Sequence, residues 1–345
     1  CETGLNVKPV FALMEVAQYE TIDLGPLLSQ CENRCIPAPA DDAALHETEL
    51  AIRKAILTQG WFMARVEGTA NLAEAVEGAY SAASSFHQLS EVDKELCHHS
   101  TSSFKHGGYF RRGEEPSYEP AATPSHVEDF CVSYHLALSD RTSTQQMWPR
   151  KPRGFKSQIE TFLRSASPIV DALHLAFKRA FGLRDYQTHD TSSILRILRY
   201  PDSEFGNIAP HSDFEVFTIL HQTTKGLQFE IDGKWLWAPV PSKDTFIVIP
   251  DDLLAFWTNG LVKPMRHQVV PCGAERYSLI LFLAANNDEE AHPLPKYLET
   301  SSREPCRQFL DALQAAGTER LTQLIHLNTR VAQAEMNMQK SSDVR

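Results

Sequence analysis

His211 and Asp213 stand two residues apart in APHSDF, and His267 follows a long interval later in MRHQV. Two histidines and one carboxylate are the protein donors of a 2-His-1-carboxylate iron(II) site, which leaves coordination positions open for chemistry. On a strand, residues two apart project from one face. His211 and Asp213 can therefore reach one ion from one sheet edge, and His267 can complete the set from another strand. A lone HxD pair recurs by chance, so the combination with His267 carries the signal. Zinc accepts the same donors, which keeps a zinc hydrolase open as an alternative.

Arg276 and Ser278 open the next apolar run, ERYSLILF. A guanidinium forks onto a carboxylate and a hydroxyl adds a donor, a pairing suited to the distal carboxylate of a small diacid. Pro271–Glu275, with Gly273 at its centre, predicts a turn that folds Arg266–Val270 and Arg276–Ala284 into a hairpin. The charges balance as well. Iron(II) with one aspartate and two neutral histidines carries one net positive charge, Arg276 adds another, and a dianion neutralises both. Glu215 shares the strand parity of Asp213 but lies further along, as a substrate contact or core-edge residue.

The elements that must hold these residues are short strands. Apolar, β-branched runs at Ile194–Tyr200, Glu215–His221, Gly226–Ile231, Trp235–Val240, Thr245–Ile249, Arg266–Val270 and Tyr277–Ala284 argue for an antiparallel barrel or jelly roll. Helices precede them. One begins near Asp42 and ends at Gly60, a second spans Asn71–Leu89, and Ser157–Phe181 carries a stripe of Phe162, Ile169, Leu173 and Phe177 closed by Gly182. Trp61–Val66 and Val127–Leu136 read as further strands. The Gly-, Pro- and Tyr-rich stretch 100–125 reads as a binding loop or a surface connection. Pro305–Ala316 and a segment from Thr318 to about Gln339 read as closing helices. Three regions are expected: a helix-rich 1–150, a β-core with its preceding helix over 151–290, and a helical tail over 291–345.

The chain has 345 residues, 42% of them apolar and 22% charged, enough for a sizeable folded core. A formal charge of −11 argues against a nucleic-acid partner, and no apolar run is long enough to predict a membrane span. Seven cysteines without CxxC pairs are expected to be free thiols in a reducing cytoplasm. The first residue is Cys1, as a trimmed N-terminus would leave.

HSDF, TNGLVKPMRHQV and RYS together resemble the iron(II)- and 2-oxoglutarate-dependent dioxygenases of the isopenicillin N synthase-like superfamily. ETIDLGPLL, QGWFMARVEG, SSFHQLSEVDKEL and HGGYF resemble that superfamily's N-terminal region, so the likeness spans about residues 20–290. It implies an α+β fold, a double-stranded β-helix (jelly-roll) core flanked by helices. Residue by residue, it implies that His211, Asp213 and His267 bind iron and that Arg276 and Ser278 hold the far carboxylate of 2-oxoglutarate. Tyr200, in LRILRYP, matches a residue near the cosubstrate. Plant members carry asparagine where this chain has Leu198, and that contact is missing. Arg196 matches an arginine beside cosubstrate and substrate in bacterial ethylene-forming enzymes; its alternative is a charge on an outward strand face.

The chemistry implied is oxidative decarboxylation of 2-oxoglutarate to succinate and carbon dioxide, coupled to hydroxylation, desaturation or rearrangement of a small molecule, with specialised metabolism as the expected setting. Iron(II), 2-oxoglutarate and O2 are the implied cofactors, with ascorbate as reductant in vitro. Tyr109, Phe110, Phe214 and Phe282 are candidate substrate contacts, each with simple core packing as its alternative. Within the superfamily, an isopenicillin N synthase-like oxidase that does not use 2-oxoglutarate is the competing reading. A non-catalytic ligand-binding descendant is the competitor of another class. Nothing in the sequence sets the oligomeric state.

Overall fold

The computed structural model describes residues 15–33, 39–66, 71–101, 107–114, 126–138, 147–183, 193–203, 206–284, 294 and 297. Two sheets and a layer of helices make up this part. The strands are β1 (Thr21–Asp23), β2 (Phe62–Arg65), β3 (Gly108–Phe110), β4 (Glu128–Ser133), β5 (Ile194–Tyr200), β6 (Ile208–His211), β7 (Phe217–Gln222), β8 (Leu227–Ile231), β9 (Lys234–Trp237), β10 (Thr245–Pro250), β11 (His267–Val269) and β12 (Arg276–Leu283). The helices are α1 (Gly25–Asn33), α2 (Pro39–Thr58), α3 (Leu72–His87), α4 (Glu91–Glu95), α5 (Tyr134–Leu138), α6 (Phe155–Phe181) and α7 (Asp252–Trp257).

An eight-stranded sheet runs β1-β2-β10-β7-β12-β5-β4-β3, and a four-stranded sheet runs β6-β11-β8-β9. All pairings are antiparallel except β1 with β2. The fold is thus α+β, with mixed and antiparallel sheets. Half of the large sheet, β1 to β4, comes from the first 150 residues, which read from sequence as mainly helical.

Strand alternation divides the large sheet into two working faces. Tyr277, Leu279, Leu281 and Leu283 of β12, Leu195 and Ile197 of β5, and Phe217 and Ile219 of β7 pack into the core shared with the helices. Ile280, Leu198, Tyr200 and Leu220, the alternate residues of the same strands, pack toward the small sheet with Leu227, Phe229 and Val269. The metal and cosubstrate candidates all lie on this second side.

Helix α6 braces the first side. Its buried stripe of Phe155, Ile159, Phe162, Ile169, Leu173 and Phe177 follows the helical period and includes the four residues expected from sequence. Phe177 stacks on Phe217 of β7 at 4.5 Å. Gly182, at φ +64°, ends the helix in the left-handed conformation that a side chain would resist, and Leu183 N–H caps Lys178 O at 2.8 Å. On α2 the buried apolar residues are Leu45, Ile52, Ala55 and Ile56, at helical spacing, whereas Leu50 is half exposed.

Three expectations need correction. β11 and β12 do not form a hairpin. Both edges of β12 are occupied, by β5 and β7, so β11 lies in the other sheet between β6 and β8. Val127–Leu136 is not one strand, because the chain turns from β4 into α5 at Tyr134, whose N–H is held by Ser193 O at 2.9 Å. And the strand expected to carry both His211 and Asp213, β6, ends at His211; as an edge strand it tolerates Pro210. The helices expected at Pro305–Ala316 and from Thr318 lie outside the described residues. Among the described residues no helix is long and apolar enough to cross a membrane, and Cys97 and Cys272 are free thiols.

Candidate metal centre

The β6–β11 register pairs His211 directly with His267, and their rings lie 4.2 Å apart. Asp213 sits just past the end of β6, not on it, so the same-face argument holds for its reach rather than for a strand. Its Oδ1 is 3.6 Å from Nε2 of each histidine. Each imidazole is oriented from behind: Nδ1 of His211 meets Ala209 O at 2.8 Å, and Nδ1 of His267 meets Met265 O at 2.9 Å. A carbonyl oxygen only accepts, so both Nδ1 atoms carry the proton and both Nε2 lone pairs point inward. Burial, then the neighbouring His211, lowers His267 to a pKa of about 4. Burial alone would raise Asp213, but the two imidazoles and the Thr218 hydroxyl hold it below the usual carboxylate range. His267 is thus neutral and Asp213 anionic, as ligation of a divalent ion requires.

Behind Asp213 lies a donor that sequence reasoning missed. Thr218 Oγ1 is 2.9 Å from Asp213 Oδ2 and 3.0 Å from Asp251 Oδ2, and all three side chains are buried. One hydroxyl proton cannot serve two carboxylates. Burial, then the charge of Asp213, pushes Asp251 well above the usual range, so Asp251 keeps its proton and can donate to Thr218, which donates to Asp213. The loop is fixed further by Asp252 N–H to Asp213 O at 2.9 Å and by Ser212 Oγ to Asp252 at 3.0 Å.

Across the gap between the sheets, Arg276 is 1% exposed yet pairs with no carboxylate among the described residues. Gln222 of β7 accepts from its Nε and Nη2 and is itself anchored by Nε2–H to Pro239 O at 2.9 Å. The guanidinium lies 4.2 Å over the ring of Tyr200, its partner in the β12–β5 register. Here three buried polar atoms have no partner among the described residues: Arg276 Nη1, Ser278 Oγ and the Tyr200 hydroxyl. A buried donor left unsatisfied costs about 1–3 kcal/mol. A ligand carboxylate would satisfy all three. The donor set and this cradle fit iron(II) and 2-oxoglutarate.

A cavity of about 410 Å3, including its open mouth, joins the two halves; its wall contains His211, Asp213, His267, Arg276, Tyr200 and Arg196. Leu198, Ile208, Leu220, Leu227, Val269, Ile280 and Phe282 supply its apolar lining. Arg196 is ion-paired to Asp129 at 2.6 Å, so it is an inward residue and not an outward strand charge. Of the four aromatic candidates only Phe282 reaches this wall. Tyr109 is core, its hydroxyl donating to Glu128 at 2.7 Å, and Phe110 stacks on His99 at 4.1 Å. Phe214 and Glu215 lie beside the triad loop, outside the wall. No sequence signal separated Phe282 from the other three; only the sheet register does.

Residues 191–285 match the family model of the 2OG-Fe(II) oxygenase superfamily. Two curated relatives are the 2-oxoglutarate-dependent dioxygenase tropC of Talaromyces stipitatus, 29% identical over 53% of this chain, and gibberellin 2-beta-dioxygenase 8 of Arabidopsis thaliana, 33% identical over 57% of it. The chain spans less than two thirds of both, 65% and 61%. The fold is also that of the rice dioxygenase for auxin oxidation, with TM-score 0.60, 19% identity, and coverage of 81% of this chain and 87% of that one.

Proposed function

We propose, since the chain belongs to the 2OG-Fe(II) oxygenase superfamily, that it is an iron(II)- and 2-oxoglutarate-dependent oxygenase of a small organic molecule. The observation that carries this reading is the pair of unpartnered buried atoms on Arg276 and Tyr200, which share one cavity wall with the His211–Asp213–His267 triad, with Ser278 on the same strand face as Arg276. In this reading the triad holds the iron, while Arg276 and Ser278 hold the far carboxylate of 2-oxoglutarate with Tyr200 beside them. When bound, iron(II), 2-oxoglutarate and O2 supply an oxidising reaction that releases succinate and carbon dioxide and takes hydrogen from the substrate.

The protein's own part is orientation and exclusion. Ala209 O and Met265 O fix the ligand faces of the histidines, and Thr218 turns Asp213 Oδ1 toward them. Gln222 aims the remaining nitrogen of Arg276 into the cavity. The apolar wall of Leu198, Ile208, Leu220, Ile280 and Phe282 keeps water from the reacting carbon. Phe282 and Arg196 are the substrate-side candidates that this geometry supports.

The two facing sheets are read as the halves of a double-stranded β-helix, with residues 151–290 as its core and 1–150 adding outer strands. Relatives that include a fungal 2-oxoglutarate-dependent dioxygenase and a plant gibberellin 2-beta-dioxygenase favour a role in specialised metabolism. The free thiols favour a reducing, cytoplasmic setting, and the charge of −11 disfavours nucleic acid.

The test is incubation with iron(II), ascorbate, 2-oxoglutarate and a panel of small acids and polyketide- or terpenoid-like molecules, scored by mass spectrometry. Succinate equal to product is expected. Oxygen uptake and product without succinate would favour the oxidase reading, and no anaerobic iron(II) binding would favour a ligand-binding protein.

A further inference from the structure

At the opposite side of β3 from the cavity, a second group of ligand-type side chains converges. His98 precedes the 3-10 turn His99–Thr101, and Glu114 closes the short turn that follows β3. His98 Nε2 lies 2.9 Å from Glu114 Oε2, and His99 Nε2 lies 3.8 Å from the same oxygen. Ligand atoms from all three lie within 4.8 Å of one another. Donors on a tetrahedral zinc ion, at bonds of 2.0–2.1 Å, stand roughly 3.3 Å apart. The two distances to Glu114 fall on either side of that spacing, so small side-chain rotations close the set.

We propose that His98, His99 and Glu114 form a second divalent transition-metal site, suited to Zn2+ and separate from the cavity. Two imidazoles and one carboxylate select zinc-like ions over magnesium or calcium, which take oxygen donors. The surroundings are those of a ligand set. His98 Nδ1 is anchored by Ser100, 2.7 Å from its Oγ and accepting its backbone N–H at 3.3 Å, and this aims Nε2 at the Glu114 carboxylate. The His99 ring lies flat on Phe110, with centroids 4.1 Å apart, and this contact fixes its direction. Both groups stay reachable from solvent, since the side chains of His99 and Glu114 are 29% and 27% exposed.

One cation competes. Arg111 Nη1 is 3.2 Å from Glu114 Oε1, and Arg111 N–H donates to Glu114 Oε2 at 2.7 Å. The same guanidinium also forks onto Glu95, with Nη2 to Oε2 at 2.5 Å. Glu95 can therefore retain Arg111 when the Glu114 oxygen turns to an ion. Metal binding would tie the 98–99 segment to the chain beyond β3, at the edge of the large sheet. Phe110, under His99, lies 5.9 Å from the Arg196 guanidinium in the cavity wall, so this tie would stiffen that wall from behind.

The test uses the full chain, stripped with a chelator and dialysed against Zn2+, with bound zinc counted by mass spectrometry. Two equivalents are expected in the unaltered protein, because the His211–Asp213–His267 set also accepts zinc. His99→Ala and Glu114→Gln should each retain one, His211→Ala should retain one, and His99→Ala with His211→Ala should retain none. Circular dichroism confirms that each variant is folded, and Glu114→Gln keeps the shape of the side chain in case His99→Ala does not fold. In the His211→Ala background, Zn2+ should raise the melting temperature by several degrees, and adding Glu114→Gln should abolish that rise. One equivalent in the unaltered protein, or two retained in both His99→Ala and Glu114→Gln, overturns the proposal.

Discussion

The side-chain oxygen of Gln222 accepts two hydrogen bonds from Arg276, from Nε at 3.1 Å and Nη2 at 2.8 Å, and leaves only Nη1 for the cavity. In the proposed reading, the arginine that would hold the cosubstrate carboxylate is thus supported by an amide, not by an acid that would compete with it. Gln222→Leu removes this support and leaves two guanidinium N–H groups buried and unpaired. The expected result is a KM for 2-oxoglutarate raised about tenfold or more, roughly 1.4 kcal/mol, with kcat little changed and iron(II) stoichiometry intact. An unchanged KM would mean that Arg276 is positioned by Tyr200 and the strand alone.

Gly226 is the floor under the same side chain. A β-carbon there would lie 2.7 Å from Arg276 Cδ and 3.0 Å from its Nε, and the backbone sits at φ +154°, which side-chain-bearing residues rarely adopt. The contact falls on the middle of a buried side chain, not on a free end. Gly226→Ala should displace Arg276 and weaken 2-oxoglutarate, with an overpacking cost of about 1–3 kcal/mol. Cosubstrate titration beside a thermal melt separates the two effects, and wild-type affinity in a folded variant would contradict the prediction.

Thr218 should matter to the metal without touching it. Thr218→Val keeps the volume but removes the donor to Asp213 and the acceptor for the Asp251 proton. Support of this kind is worth about 10- to 100-fold in metal affinity. Anaerobic iron(II) titration should show a loss in that range, with Thr218→Ser restoring most of it.

His221 gives a pH signature from the helix-facing side of the large sheet. Its Nε2–H donates to Ser242 O at 3.1 Å, and its Nδ1 accepts from the Tyr80 hydroxyl at 2.8 Å. Burial lowers its pKa from 6.5 to about 4. Below 6.5 the unfolded chain binds this proton and the folded chain does not, so stability is full above pH 6.5 and declines as pH falls toward 4. The depression corresponds to about 3 kcal/mol over that window. His221→Gln removes the titration. Chemical denaturation at pH 7 and pH 4.5 should show a smaller pH-dependent loss for the variant, and an equal loss in both proteins would exclude His221 as a source.

The candidate site residues could be singled out because they lie in or next to short strands and their types are unusual together. His211, Asp213, His267, Arg276 and Ser278 were picked out by type, spacing and a family resemblance. Long helices such as α6 were equally plain from their stripe. Sheet membership was not, because neighbours in sequence and neighbours in a sheet are independent: β11 and β12 read as a hairpin yet pair with different partners. Tyr109, Phe110, Phe214 and Phe282 are alike in sequence, and only register separates Phe282 from the rest. Gln222, Thr218 and Gly226 carry no motif. Their parts follow from what stands opposite them.

His211 and His267 hang from the small sheet, while Arg276 and Ser278 stand on the large one. A molecule gripped at both ends is gauged by the distance between those sheets, which the packing of Leu198, Leu220, Leu227 and Val269 sets. Those four side chains act as spacers in a caliper. Trimming one of them would retune the length of diacid that the jaws accept, without altering a single polar group that touches it.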